Sequence, residues 1–164
     1  MAAPAEAVDV AALWDFAKPE ASELRFRKAL ETASGDDALI LRTQIARSYG
    51  LRGDFDRARA ELDTISPQLA AAGPEVRVRH ALELGRTYAS ATHPANSRTA
   101  QSREKARGHF ERARRIAGEA KLDALAIDAI HMLAFVDTAP ADQLRWGREA
   151  LAVCVASSQP DARR

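Results

Sequence analysis

Twice in this chain a large aliphatic residue precedes a small one, a tyrosine follows three positions after the small residue, and an alanine opens the apolar stripe of the next helix. The first copy is Ile45, Ala46 and Tyr49, then the turn Gly53-Asp54-Phe55, then Ala58 and Leu62. The second is Leu84, Gly85 and Tyr88, then Ala106, Phe110 and Ala113. The pattern constrains the fold because two helices approach closely only where their side chains are small. Ala46 and Ala58 therefore belong where the arms of a hairpin cross, with Ile45, Tyr49, Phe55 and Leu62 filling the space around them. Gly53 tolerates left-handed backbone and Asp54 is an N-cap, so one helix stops and the next starts within a few residues. Tyr49 and Ala58 are 9 positions apart and Tyr88 and Ala106 are 18 apart, so the second copy carries a nine-residue insertion.

The rest of the 164 residues reads as helix. Hydrophobic content of 46% leans on alanine, aromatics are 5%, and eight glycines with seven prolines leave few turns. No run alternates β-branched residues between hairpin turns, so no appreciable sheet is expected. Breaks at Lys18-Pro19, Ser34-Gly35-Asp36-Asp37, Gly53-Asp54, Gly73-Pro74, Leu122-Asp123 and Thr138-Ala139-Pro140 divide eight helices into four hairpins, over about 5–33, 37–72, 75–120 and 122–157. The first helix is expected over 5–16, the second to Ala33, the fourth over 54–72 and the fifth to Ala91. Residues 92–102, with His93, Pro94, Asn96 and several Ser and Thr, read as a mobile loop.

The elements Ile45-Ala46-x2-Tyr49 with Ala58-x3-Leu62, and Leu84-Gly85-x2-Tyr88 with Ala106-x3-Phe110, resemble the tetratricopeptide repeat family. The likeness is carried by residues 39–117 and extends over 122–155. Ala46 and Gly85 are 39 positions apart, against a usual period of about 34 residues, so the long-helix variants are the nearer comparison. The resemblance implies an all-α, right-handed superhelical stack of about four antiparallel hairpins, one domain over 1–164. It also implies a non-catalytic scaffold or adaptor, in which the first helix of each hairpin lines a concave groove for a partner peptide or protein. Carried over position by position, the groove candidates are Thr43 and Arg47 in one repeat and Arg79 and Arg86 in the next. Arg47 and Arg86 each follow the small residue of the pattern, so they belong on one face, where guanidinium groups can hold an acidic side chain or a carboxylate in two-pronged fashion. The lysine and asparagine clamp of some chaperone-binding members does not fit, because the one asparagine, Asn96, falls in the insertion.

Two alternatives stand beside the adaptor. From 98 to 115 the chain holds Arg98, Arg103, Lys105, Arg107, Arg112, Arg114 and Arg115 against Glu104 and Glu111, and a face led by Arg103, Arg107 and Arg114 is a candidate for nucleic-acid backbones. No aromatic residue stands between these charges to stack a base, since Phe110 belongs to the buried stripe. The third reading is self-assembly. Leu144, Trp146, Leu151, Val153, Cys154 and Val155 spread around the last helix, which expects apolar neighbours on most sides, further chain or a second copy, and Pro160-Asp161 resembles the start of another element.

Other chemistry finds little footing. His80, His93, His109 and His131 show no metal-ligand spacing, though Asp128 stands where it could orient His131. No nucleophile elbow, phosphate-cradling loop or CxxC pair is present, and Asp36, Asp37, Asp54 and Asp56 stand at helix starts, where capping accounts for them. No enzyme, cofactor or metal is expected. A formal net charge of +1 does not mark a polyanion binder, and the lone Cys154 fits a reducing compartment. With no secretion signal and no long apolar run, a cytoplasmic protein is the expectation.

Overall fold

Local signals set most helix boundaries in the computed structural model, which describes residues 7–163. Asp9 caps α1 (Val10–Leu13) by accepting from the Ala12 amide at 3.2 Å. Pro19 opens α2 (Pro19–Leu30), where its missing N–H would have had no helical partner. α3 (Gly35–Leu51) starts at Gly35, with φ +56°. Gly53 then takes φ +75°, the Asp54 amide returns to the Tyr49 carbonyl at 3.0 Å, and the Asp54 carboxylate accepts from the Arg57 amide at 3.3 Å to start α4 (Phe55–Ile65). This is the predicted stop-and-start turn. α5 (Pro74–Arg86) and α8 (Pro140–Ala156) open on proline as well, and between them lie α6 (Ala100–Glu119) and α7 (Asp123–Val136). The α6–α7 turn repeats the α3–α4 design, with Lys121 at φ +57° in the glycine's place and the Leu122 amide returning to the Ala117 carbonyl at 2.9 Å.

The protein is all-α: these helices and three short 3-10 turns form a stack, with no strand among the described residues. Each hairpin closes on itself, α3 on α4, α5 on α6 and α7 on α8, and α2 packs on α3 and α6 on α7. The first arms also meet directly, α3 against α5 and α5 against α7, so three first arms share one side of the stack. Ala46 and Ala58, each 1% exposed, pack into one cluster with Leu62, the crossing that small residues were expected to make. Phe26, Leu41 and Ile45 fill the α2–α3 interface, while Leu82, Ala106, Phe110, Ala113, Ile130 and Leu133 lead the larger core of α5–α8. Both motif tyrosines stand half-buried beside charged groups. Tyr49 donates to Glu23 at 3.0 Å and accepts from Arg27 at 2.8 Å, whereas Tyr88 stacks on His109 at 5.8 Å between ring centroids.

Several boundaries differ from expectation. The first helix is a single turn, Val10–Leu13, and the part of its expected span before residue 7 lies outside the described residues. Trp14 is already extended there, and its indole N–H reaches Gln44 Oε1 at 2.9 Å. α2 ends at Leu30 instead of Ala33. α4 ends at Ile65 because Pro67 lacks an amide and its ring clashes with the carbonyl four residues back, so the chain tightens into a 3-10 turn over Ser66–Gln68. α5 stops at Arg86, short of Ala91, and there an imidazole takes over the backbone: His93 Nδ1 accepts from the Ser90 amide at 3.1 Å while its Nε2–H meets the Thr87 carbonyl at 3.1 Å. Residues 92–102 are accordingly tied down where a mobile loop was expected. His93 is buried and stacks on Phe55 with centroids 3.8 Å apart, Arg98 donates to the His93 and Ala91 carbonyls, and Thr92 donates to the Gly50 carbonyl at 3.0 Å.

Asp36 and Asp37 reach beyond their own helix start. Asp36 accepts from the Gly73 amide at 2.9 Å and Asp37 from the Val8 amide at 3.4 Å, so both fasten other segments to α3. At the far end Trp146 is buried and donates to Asp137 at 2.8 Å, while Leu144, Leu151 and Val155 are 55%, 63% and 72% exposed. The apolar residues of α8 thus divide between the core and one open stripe. After it the chain folds back in a 3-10 turn, Pro160–Arg163, against α7 and α8 with Ala162 buried.

Candidate functional site

The three first arms line a cavity of about 240 Å³ that opens to solvent. α3 contributes Ala46, Arg47, Gly50 and Leu51, α5 contributes Glu83 and Arg86, and α7 contributes Asp128, His131, Met132 and Phe135. Ala58 of α4 stands at the back, and the segment after α5, with Thr87, Ser90, Ala91 and Thr92, forms the rim. His93 stabilises that rim from behind through its bonds to Ser90 and Thr87.

Helical spacing explains the charged wall. Glu83 and Arg86 lie three positions apart and share a face of α5, where the guanidinium meets the carboxylate at 2.6 Å. α7 brings Asp128 to the other side of Arg86 at 2.5 Å. Arg86 is therefore clamped between two carboxylates. Burial disfavours its charge, but Glu83 and Asp128 outweigh burial and hold its pKa above the ordinary guanidinium value. Burial likewise opposes the Asp128 carboxylate, and Arg86 and Arg47 overcome it to lower that pKa.

Arg47 shares these carboxylates on poorer terms. Its Nη1 is 3.4 Å from Glu83 and 3.9 Å from Asp128, beyond the usual length of a charge-assisted bond, and its buried Nε has no acceptor among the described residues. Burial first, and then the neighbouring Arg86 charge, push its pKa down, and Glu83 and Asp128 only partly oppose them. On its other side the guanidinium faces the rings of Trp14 at 5.7 Å and Phe16 at 5.4 Å, which attract a cation without accepting a hydrogen bond in its plane. Arg47 is the under-compensated cation of this wall.

Of the residues that the sequence placed in a groove, Arg47 and Arg86 line this cavity together. Thr43 does not: it is fully buried, donating to the Ile40 carbonyl at 2.6 Å and accepting from Gln44 at 3.0 Å, because its position on α3 faces the neighbouring helices. Arg79 lies one and two turns before the cavity residues of α5 and pairs with Glu75 at 2.8 Å. Asp128, read as a partner that orients His131, directs its carboxylate to Arg86 instead, and His131 stands exposed in the cavity wall. Sequence reasoning missed Glu83, although its spacing to Arg86 was a usable sign. It missed the role of Asp128 because that depends on how α7 packs.

The three arginines that lead the basic face are drawn into the fold, while Lys105, Arg112 and Arg115 stay exposed. Arg103 donates to the Arg98 carbonyl at 2.8 Å, Arg107 pairs with buried Asp137, and Arg114 bonds Glu149 at 2.7 Å while lying over the Trp146 ring at 5.4 Å. Arg107 and Arg114 thus hold α6 to the end of α7 and to α8, while Arg103 ties α6 to the segment before it. Among the described residues no cluster of His, Cys, Asp and Glu is placed to hold a metal ion, and no helix is long and apolar enough to cross a membrane. Comparison with protein families, with characterised proteins and with solved structures finds no match for this chain.

Proposed function

We propose that this chain is a non-catalytic adaptor of the tetratricopeptide type, a right-handed superhelical stack that works in the cytoplasm and holds a segment of a partner protein on the side lined by α3, α5 and α7. The observation that carries this reading is the unequal treatment of two neighbouring cations: Glu83 and Asp128 close tightly on Arg86 and leave Arg47 with long contacts beside a cavity. An acidic group from a partner would complete the coordination of Arg47, while Ala46, Leu51, Met132 and Phe135 accept the apolar part of the same segment. Neither a metal nor a cofactor enters this reading.

Selection of random peptides by display against the chain tests it. Peptides bearing a carboxylate beside an aliphatic or aromatic residue are expected, and they should fail to bind the Arg47→Glu variant. Selection that yields nothing, or peptides indifferent to Arg47→Glu, overturns the reading.

Self-association is a second reading, favoured by the open stripe of Leu144, Leu151 and Val155 on α8. Sedimentation equilibrium should then show a concentration-dependent mass that Leu151→Lys abolishes, and a single monomer mass across concentrations would remove it. For nucleic acid the support is weaker, since Arg103, Arg107 and Arg114 already have partners within the fold.

A further inference from the structure

We infer that the cavity between α3, α5 and α7 also accepts a small organic acid, a single carboxylate on a compact apolar body, with Arg47 as the anchor. The inference rests on the reading of this cavity as the binding site but requires no protein partner. Its first support is the geometry of Arg47, whose Nη1 contacts are long and whose side chain, 23% exposed, lines the cavity. A carboxylate presents two oxygens to the planar fork and can satisfy donors that an amide or an alcohol would serve only in part.

Charge limits the ligand to one negative group. Glu83 and Asp128 stand in the same wall, with Glu83 only 4% and Asp128 28% exposed, so a phosphate or dicarboxylate entering beside Arg47 would meet two like charges in a poorly solvated space. The remaining wall sets the other half of the ligand: Ala46, Leu51, Ala58, Met132 and Phe135 offer apolar surface. At about 240 Å³ the cavity falls below the roughly 300–1,000 Å³ of sites for drug-sized molecules, so the apolar body is no larger than a short alkyl chain or one ring.

Isothermal titration with 3-phenylpropionate, with its neutral amide 3-phenylpropionamide and with inorganic phosphate tests the inference. The acid is expected to bind, the amide to bind at least about tenfold more weakly, the factor carried by one charge-assisted hydrogen bond, and phosphate not to bind. Arg47→Gln should cost the acid about the same factor, Arg47→Lys should fall between the two, and Arg114→Gln on the outer face should leave binding unchanged. Circular dichroism confirms that each variant is folded. Equal binding of acid and amide, unaltered binding to folded Arg47→Gln, or no binding by phenylpropionate, benzoate or hexanoate overturns the inference. Should display-selected peptides bind through Arg47 while none of these acids does, the partner-binding reading stands and the small-acid inference falls. If neither binds, both fall.

Discussion

Gly85 lies directly against the ring of Phe110: a Cβ at Gly85 would stand 2.5 Å from Phe110 Cε1 and 2.8 Å from Cδ1. This is the second repeat's counterpart of the packing of Leu62 with Ala46, with all side-chain volume removed from α5 so that the larger Phe110 of α6 can enter. The Phe110 ring is itself fully buried, so it can yield only by displacing its core neighbours. Gly85→Ala is therefore expected to lower stability by about 1–3 kcal/mol, the usual range for overpacking. Gly147→Ala is the control: its added methyl meets nothing within 4 Å, inside α8, and should raise stability by about 0.8–1 kcal/mol. Urea denaturation of the two variants reads both signs.

The α6–α7 turn stores a removable strain. Lys121 occupies left-handed backbone, φ +57°, at the point where the equivalent α3–α4 turn has Gly53. A side chain in that region costs roughly 1–2 kcal/mol, and glycine gives back roughly 0.5–1 of it in lost conformational freedom. Lys121→Gly should thus stabilise the protein by about 0.5–1 kcal/mol, measured as a higher denaturation midpoint with an unchanged slope.

Arg86 is the structural member of the charge wall. Arg86→Met leaves Glu83 and Asp128 facing each other with only the distant Arg47 between them. The expected loss approaches, without reaching, the about 3–5 kcal/mol of a fully enclosed pair, because Asp128 keeps some solvent access. Adding Glu83→Gln to that variant should recover part of the loss. Arg47→Gln should cost much less, because its contacts are long. A double-mutant cycle measures both differences.

Acid should weaken the fold in two stages. Burial lowers the pKa values of His80, His93 and His109 from 6.5, so the native state resists protons that the unfolded chain accepts. Their contribution is constant above the unfolded value and declines as pH falls from about 6.5 toward the lower folded values. At His93 protonation of Nδ1 also breaks the bond from the Ser90 amide at the cavity rim. A second decline belongs to Glu23 and Asp128. Burial alone would raise Glu23, but hydrogen bonds from Arg27, Arg52 and Tyr49 prevail and lower it, and Asp128 is lowered by Arg86 and Arg47. Their stabilisation is complete above ordinary carboxylate values and is lost as pH falls below about 4. Denaturation midpoints between pH 8 and pH 3 should show both steps, and His93→Gln should shrink the first, leaving the shares of His80 and His109.

Much of this architecture was legible because it is local. Prolines 19, 74 and 140 mark three helix starts, Gly53-Asp54 marks a turn, and Ala46 with Ala58 marks a crossing, each through a constraint acting within a few residues. The boundaries that went unseen depended on one overlooked proline, Pro67, or on contacts across the chain, as where His93 replaces helix by bonding to the backbone of residues 87–90. The same division runs through the site. Arg47 and Arg86 could be placed on one face from their identical position after the small residue. That Glu83 and Asp128 choose Arg86 over Arg47, and that Trp14 and Phe16 lie against Arg47, follows from the packing of α1, α5 and α7, which helical periodicity does not encode.

The most direct measurement of the central claim is where a bound ligand touches the protein. Methyl and amide NMR shifts, followed as a display-selected peptide is titrated into the labelled chain, should concentrate on Ala46, Leu51, Met132 and the Arg47 side chain. Perturbations confined to the outer face of α6 or the Leu144–Leu151–Val155 stripe, with those cavity signals unmoved, would contradict it.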